Sequence, residues 1–150
     1  MAIGTNAAIW FYGGVTTLTA SALIGDNLFS ASLGTFTNSD DATHVAITAD
    51  LTMDVAADDF GSINIYLRAL NTEGSNDDEI PEVEYPHNFL CNLPVLNTVL
   101  TLQRTTDGPF ALPIYKTSSI WEVYVENKTG DEIDTAMKVY LTPMSLGPHA

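Results

Sequence analysis

The stretch Thr-His-Val-Ala-Ile-Thr-Ala-Asp-Leu-Thr-Met, residues 43–53, decides the fold class of this chain. Every odd position from 45 to 53 is apolar, and polar residues such as His44, Thr48 and Asp50 stand between them. Successive side chains of a β-strand point to opposite faces, so a period of two predicts a strand with one buried face. An amphipathic helix would need apolar residues three and four positions apart.

Three further segments, residues 62–70, 119–126 and 135–142, repeat this alternation. Their apolar positions are Ile63, Ile65, Leu67 and Ala69, then Trp121, Val123 and Val125, then Met137, Val139 and Leu141. Weaker strands are predicted at residues 15–21, 28–36, 88–92, 99–104 and 110–115. Residues typical of turns separate the strands, at 25–27, 38–41, 58–61, 106–109 and 128–131.

Many short strands, closely spaced turns and no sustained helical period are typical of an antiparallel β-sandwich. We therefore predict an all-β fold, an antiparallel β-sandwich with a jelly-roll-like topology. An immunoglobulin-like topology is the alternative, and the order of the strands distinguishes the two.

Two segments do not fit a regular sandwich. Residues 1–14 are small and apolar without clean alternation, and we predict an extended N-terminal arm followed by a single domain over residues 15–150. The arm either closes the protein's own core or reaches a neighbouring subunit. Residues 71–87 form a long acidic loop, either solvated or binding Ca²⁺, although the spacing of its carboxylates matches no known calcium motif.

The charge of the chain restricts its partners. Nineteen acidic residues against five basic ones give a net charge of -14, which disfavours nucleic acid as a partner. No apolar run approaches the length of a membrane span, and the N-terminus lacks the basic start of a secretory signal, so we expect synthesis in a cytoplasm. The single cysteine, Cys91, lies in an apolar run that predicts a buried, inert thiol.

No motif for catalysis or cofactor binding is present in the sequence, so we predict a protein that is not an enzyme and has no cofactor. His44, His87 and His149 show no metal-ligand spacing. The sequon at residues 127–129 is interpreted as a chance match in an exposed turn. Tyr66 and Tyr124 fall on the polar faces of their strands, where exposed rings would pack a subunit interface or stack on sugars.

Several short segments resemble small virion proteins of tailed bacteriophages. They are residues 1–9 with 11–13, 70–77, 85–87, 124–127 and 141–143 with 147–148. Their order along the chain is similar to that of capsid decoration (cement) proteins of the β-sandwich type. The resemblance implies a trimer or dimer that binds the major capsid protein on the outer surface of the virion and stabilises contacts between capsomers. If the chain has this role, we predict from its apolar N-terminal stretch and its outward-facing tyrosines that Ile9, Trp10, Phe11, Tyr12, Tyr66 and Tyr124 contact the capsid or a neighbouring subunit.

A second function stays open at this point. The same composition suits a tail or fibre domain, or a carbohydrate-binding β-sandwich module, with Tyr66 and Tyr124 as its stacking platform.

Overall fold

The computed structural model of the chain describes residues 8–38, 41–70, 77–84, 88–97, 102–112 and 120–148. Within these ranges the chain forms nine β-strands. They are β1 (Ala8–Tyr12), β2 (Thr16–Thr19), β3 (Thr35–Thr37), β4 (His44–Leu51), β5 (Ser62–Leu70), β6 (Phe89–Pro94), β7 (Gln103–Ala111), β8 (Ile120–Lys128) and β9 (Lys138–Pro148). The described part of the chain contains no helix long and apolar enough to cross a membrane.

The strands form two antiparallel sheets. One has the order β1-β9-β4-β7, with β2 also paired to β9, and the other has the order β3-β8-β5-β6. β2 pairs with residues 138–141 of β9 and β1 with residues 144–148, so β1 and β2 are successive halves of one edge strand. Apart from β1 to β2, the two halves of that edge strand, every connection except β5 to β6 changes sheet, which is the jelly-roll arrangement. The predicted all-β, jelly-roll-like sandwich is confirmed.

The predicted N-terminal arm is in part a strand of this sandwich. Residues 8–12 form β1 and complete the chain's own sheet, whereas residues 1–7 lie outside the described residues. The edge strand is interrupted at residues 13–15, where we placed the boundary between arm and domain. That division of the chain stays a prediction.

The core lies between the two sheets and is built by the alternating positions. Val45, Ile47 and Leu51 of β4 are buried beside the apolar positions of β9, and the apolar positions of β5 and β8 face them from the other sheet. Phe36 and Trp121 stack with their ring centroids 5.8 Å apart. Burying each such side chain contributes about 1.5–3 kcal/mol, so the period-two pattern is the main source of stability. The four segments with clear alternation are confirmed as β4, β5, β8 and β9.

The weaker predictions have mixed outcomes. Residues 15–21 and 88–92 correspond to β2 and β6. Residues 28–36 run extended beside β8, with hydrogen bonds from the backbone N–H groups of Ser30 and Leu33, but only Thr35–Thr37 form a regular strand. Residues 99–101 and 113–115 lie outside the described residues.

The turn predicted at residues 106–109 is wrong. These residues lie inside β7, which continues to Ala111 opposite β4. The register shifts at Gly108 and Pro109, where β7 carries one more residue than β4, and this is a β-bulge. Gly108 adopts a φ of 123°, and a Cβ there would come within 3.0 Å of the Ala46 backbone. Glycine and proline thus mark a bulge here, a role that their sequence alone does not distinguish from a turn.

The register defines two ends of the sandwich. The loop end comprises residues 20–28, 52–61, 95–97, 102 and 129–137, which connect strands on the side where β4 ends. At the opposite end, β4 begins at His44 opposite Met144, so residues 145–148 of β9 pair with β1 alone among the described strands. We call this two-stranded extension, residues 8–12 with residues 144–148, the ribbon.

Candidate functional site

The ribbon presents aromatic side chains on both of its faces. Register places Trp10 and Tyr12 opposite Leu146 and Met144, on the outer face of the sheet. Phe11 lies opposite Ser145 and points to the other face. Trp10, Phe11, Tyr12 and Leu146 are all exposed, and the Tyr12 side chain reaches 76% exposure. Exposed aromatic rings this close together are typical of a surface that binds another protein.

Local contacts hold these rings in position. The edge of the Trp10 ring contacts the His44 ring, with centroids 4.9 Å apart and planes inclined by 77°. Phe11 covers Gly147, where a Cβ would come within 3.0 Å of the Phe11 ring. The strand ends where the Gly13 N–H donates to the carbonyl of Pro143 at 2.9 Å. Gly147 of β9 therefore leaves room for the Phe11 ring.

A cleft of about 250 Å³ opens beside the ribbon. Its walls come from both strands of the ribbon and from the segment before β4, and include Phe11, Tyr12, Ala42, Pro143 and Met144. β1 is also the outermost described strand of its sheet on this side. A sheet edge that the described strands leave open, with an adjoining cleft, is suited to binding an added strand or side chain of a partner.

Tyr66 and Tyr124 do not lie on an exposed face, and that prediction is wrong. Their side chains are only 3% and 5% exposed. Phe29 and Phe89 flank the Tyr66 ring, with centroid distances of 5.0 and 5.7 Å. Because Phe29 comes from a segment remote in sequence, the covering of this face is a tertiary feature.

Both tyrosines end in hydrogen bonds to carboxylates of β8. The Tyr66 hydroxyl donates to Glu126 at 2.7 Å, and the Tyr124 hydroxyl donates to Glu122 at 2.6 Å. Burial and the neighbouring carboxylate raise the pKa of each phenol above its ordinary value. Arg68 donates to Glu122 at 3.1 Å. Each ring therefore belongs to its own largely buried polar cluster on the second sheet, Tyr66 with Glu126 and Tyr124 with Glu122 and Arg68.

Glu126 is the buried centre of the cluster that contains Tyr66. Burial acts to raise its pKa, but hydrogen bonds from Asn64, Lys128 and Tyr66 outweigh burial and hold the pKa below its ordinary value. The donors lie at 2.9, 2.9 and 2.7 Å. Glu126 is therefore ionised in the folded protein and has a structural role.

A second buried carboxylate, which the sequence analysis did not single out, lies on the outer face of the first sheet. Arg104 donates to both oxygens of Asp50 at 2.6 Å, and the Tyr140 hydroxyl lies 3.4 Å from the same carboxylate. The hydrogen bonds from Arg104 hold the pKa of Asp50 below its ordinary value. The pattern of alternation marks Asp50 as outward-facing but does not show its partner 54 residues away.

The loop end is a second exposed apolar area among the described residues, and sequence reasoning missed it. Phe60 is 102% exposed, so its ring touches almost nothing. Exposed aliphatic side chains surround the same end, namely Leu23, Leu28, Val55, Leu96 and Leu102. One signal was present in the sequence, because an aromatic residue stands inside the acidic turn at residues 58–61, where polar residues and glycine are usual.

The cysteine and histidine residues are the remaining candidates for catalysis or metal binding. Cys91 is buried, as predicted, and burial raises the pKa of its thiol to about 12. His44 lies beside the ribbon, whereas His87 and His149 are outside the described residues. Among the described residues, no group of three or more His, Cys, Asp or Glu side chains is placed to hold a metal ion.

Two sequence features have a structural explanation. Asn127 of the sequon is fully buried, so the interpretation of an exposed turn is wrong for this side chain, and its amide is inaccessible to glycosylation in the folded protein.

In the acidic loop, residues 77–84 are described, and Arg68 Nε donates to the backbone carbonyl of Asp78 at 2.6 Å. This part of the loop is therefore hydrogen-bonded to β5.

The sequence matches no protein-family model and no curated protein. Among solved structures, the chain is similar to a β-1,3-glucan-binding CBM6 from Bacillus halodurans, with 15% identity and a TM-score of 0.42, over 94% of this chain and 96% of that one. It is also similar to a chain of Bacillus endospore appendages, described as disulfide-linked pili, with 10% identity and a TM-score of 0.27, over 97% and 95% of the two chains. Similarities of this size carry no argument about function.

Proposed function

We propose that this β-sandwich is a structural virion protein that binds the outer surface of a phage capsid through its ribbon. The proposal joins the resemblance to capsid decoration proteins with one structural observation, the exposed aromatic side chains of β1 at a free sheet edge. Ile9 lies in the same strand and is half-buried. Tyr66 and Tyr124 are not part of the contact surface in this proposal, because they are buried.

The ribbon has the physical properties that a docking element needs. A two-stranded extension is only marginally stable by itself, so it adapts its shape to a partner at low cost. Large aromatic rings supply much of the energy in protein interfaces, because each buries a large apolar area on binding. Strand addition at β1 would supply backbone hydrogen bonds, and the cleft beside Phe11 would receive a side chain of the major capsid protein.

The charge of the molecule supports an external position. A net charge of -14 repels DNA and keeps crowded copies apart before assembly.

A trimer or dimer on the shell is part of the proposal. Size-exclusion chromatography with light scattering tests it, and a monomer at micromolar concentration would remove the oligomer from the proposal.

The test of capsid binding is sedimentation with expanded, undecorated shells assembled from the major capsid protein encoded in the same genome. We expect saturable binding by the wild type and a loss of binding by Tyr12→Ala and Trp10→Ala. Point substitutions are preferable to deletion of residues 2–14, because β1 completes the sheet. Phe60→Asn, a change of a still more exposed aromatic at the opposite end, is the control and should bind like the wild type.

Two outcomes would overturn the proposal. One is no density on the shell in cryo-electron microscopy at saturating protein. The other is full occupancy by the Trp10→Ala, Tyr12→Ala double variant. The alternative function, a tail, fibre or carbohydrate-binding module, remains a prediction, and glycan-array binding without shell binding would favour it.

A further inference from the structure

We infer that the loop end is a second interaction surface, which binds a protein with an apolar groove rimmed by lysine and arginine. It lies at the opposite end of the sandwich from the ribbon, so it leaves the capsid contact free. The surface consists of Phe60, its most exposed apolar side chain, and the exposed aliphatic side chains Leu28, Val55, Leu96 and Leu102 of the same end.

Phe60 lies in a conformation that its residue type disfavours. The N–H of Gly61 donates to the carbonyl of Asp58 at 2.9 Å, which closes a tight turn, and Phe60 occupies it with a φ of 63°. Glycine or asparagine suits this left-handed region, whereas a bulky aromatic residue is an outlier there. The ring is also fully exposed, so neither packing nor the turn explains a phenylalanine at this position.

Hydrogen bonds join the loops of this end into one surface. Asp58 N–H donates to the Thr129 carbonyl at 2.7 Å, and Val95 N–H donates to the Gly61 carbonyl at 2.9 Å. The Asn97 side chain donates to Asp59 at 2.8 Å. Phe60 and Leu96 are therefore held on neighbouring, mutually bonded loops. A pre-organised surface loses little entropy when it binds a partner.

The charges around the loop end indicate which kind of partner this surface binds. The exposed carboxylates of the loop end are Asp26, Asp54, Asp58, Asp59 and Glu132. The nearby Lys128 is engaged with Glu126 at 2.9 Å and Asn27 at 3.1 Å. An acidic rim repels an anionic membrane and the same end of a second copy, and it attracts a cationic protein surface. The aliphatic side chains cannot hydrogen-bond hydroxyl groups, which favours a protein over a glycan.

The test uses a short amphipathic peptide of leucine and lysine as the probe, with a leucine–glutamate peptide of the same pattern as its control. Amide chemical shifts of the ¹⁵N-labelled protein report where each peptide binds. We expect the lysine peptide to shift the amides of residues 55–61 and 95–97, and the glutamate peptide to shift none. Phe60→Asn should weaken binding about tenfold or more, because it removes the aromatic anchor without straining the turn. Tyr12→Ala should bind the peptide like the wild type.

Four results would overturn this inference. They are peptide-induced shifts spread evenly over the acidic surface, shifts confined to the ribbon, unchanged affinity in Phe60→Asn, and glycan binding that Phe60→Asn abolishes. None of them depends on shell binding, so this inference and the proposed capsid function fail separately.

Discussion

The loop end and the ribbon both expose aromatic side chains, but they are supported in opposite ways. At the loop end, the fully buried Asn127 donates to the carbonyls of Ile24 and Asp131 at 2.8 and 2.6 Å. Its side-chain oxygen accepts from the N–H and the hydroxyl of Thr129 at 2.9 and 2.7 Å. The ribbon rests on a single strand pairing.

This difference separates stability from binding. Hydrogen bonds among buried groups are costly to break, whereas a two-stranded extension contributes little to the free energy of unfolding. Changes inside the loop end should therefore alter stability. Changes to the exposed rings of the ribbon should alter binding alone.

The largest expected effect comes from Asn127→Ala. The substitution removes the acceptor of the buried Thr129 N–H and one donor from each of the Ile24 and Asp131 carbonyls, which keep bonds from the Ile133 N–H and the Thr129 hydroxyl. We expect it to lower the free energy of unfolding by about 3 kcal/mol. Urea denaturation measures this. Asn92→Ala is the matched control, because Asn92 bonds Ser62 and Asn64 at an exposed position, and its effect should stay below about 0.5 kcal/mol. Equal losses of stability in the two variants would contradict the idea that the buried hydrogen bonds of Asn127 stabilise the loop end.

Acid should weaken the part of β8 that leads into the loop end. The pKa of Glu126 lies below its ordinary value of 4.5 in the folded protein. Its ionised form therefore stabilises the protein fully above pH 4.5, and this contribution disappears as the pH falls through the lowered pKa. Relief of charge repulsion acts in the opposite direction, so the measured quantity is the difference in unfolding free energy between wild type and Glu126→Gln. We expect that difference to shrink between about pH 7 and about pH 3. A difference in unfolding free energy that does not change with pH would show that the charge of Glu126 does not affect stability. Glu132→Gln changes an exposed carboxylate and is the control.

Phe60→Asn should raise stability even though it removes an aromatic ring. The ring is fully exposed and asparagine tolerates the left-handed backbone, so we expect a gain of about 1 kcal/mol. A thermal melt of the two proteins measures it. A lower melting temperature in the variant would mean that the ring stabilises the fold and is not reserved for a partner.

The smallest effect on stability is expected at the ribbon. Tyr12→Ala should change the free energy of unfolding by less than about 0.5 kcal/mol, because the side chain is mostly in water. The same variant should lose shell binding. Destabilisation by more than about 2 kcal/mol would show that the ribbon is part of the cooperative fold, and the contrast between the two ends would then disappear.

Sequence reasoning succeeded where side chains alternate regularly. The apolar positions of residues 43–53 all lie in the core, because the geometry of a strand assigns every second side chain to one face. It failed at residues 106–109, because glycine and proline are common both in turns and in bulges. It also failed for Tyr66, since nothing near this residue in the sequence indicates that Phe29 covers it.

The candidate site was predictable in part. Trp10, Phe11 and Tyr12 stand out as an apolar run without alternation, and the structure exposes all three. Their partner strand, the end of β9, lies about 135 residues further along the chain and could not be inferred from local pattern. Phe60 was missed because exposure at a turn depends on what the other loops leave uncovered.

The sequence by itself determined the fold class, the inward-facing side chains and the acidic character, because these follow from local periodicity and from counting charges. Only the tertiary structure decided which outward-facing groups are exposed. The outward side of a strand is covered or open depending on segments remote in sequence, as Phe29 over Tyr66 and Arg104 on Asp50 show. The two surfaces proposed to bind partners are among those that the described segments leave exposed.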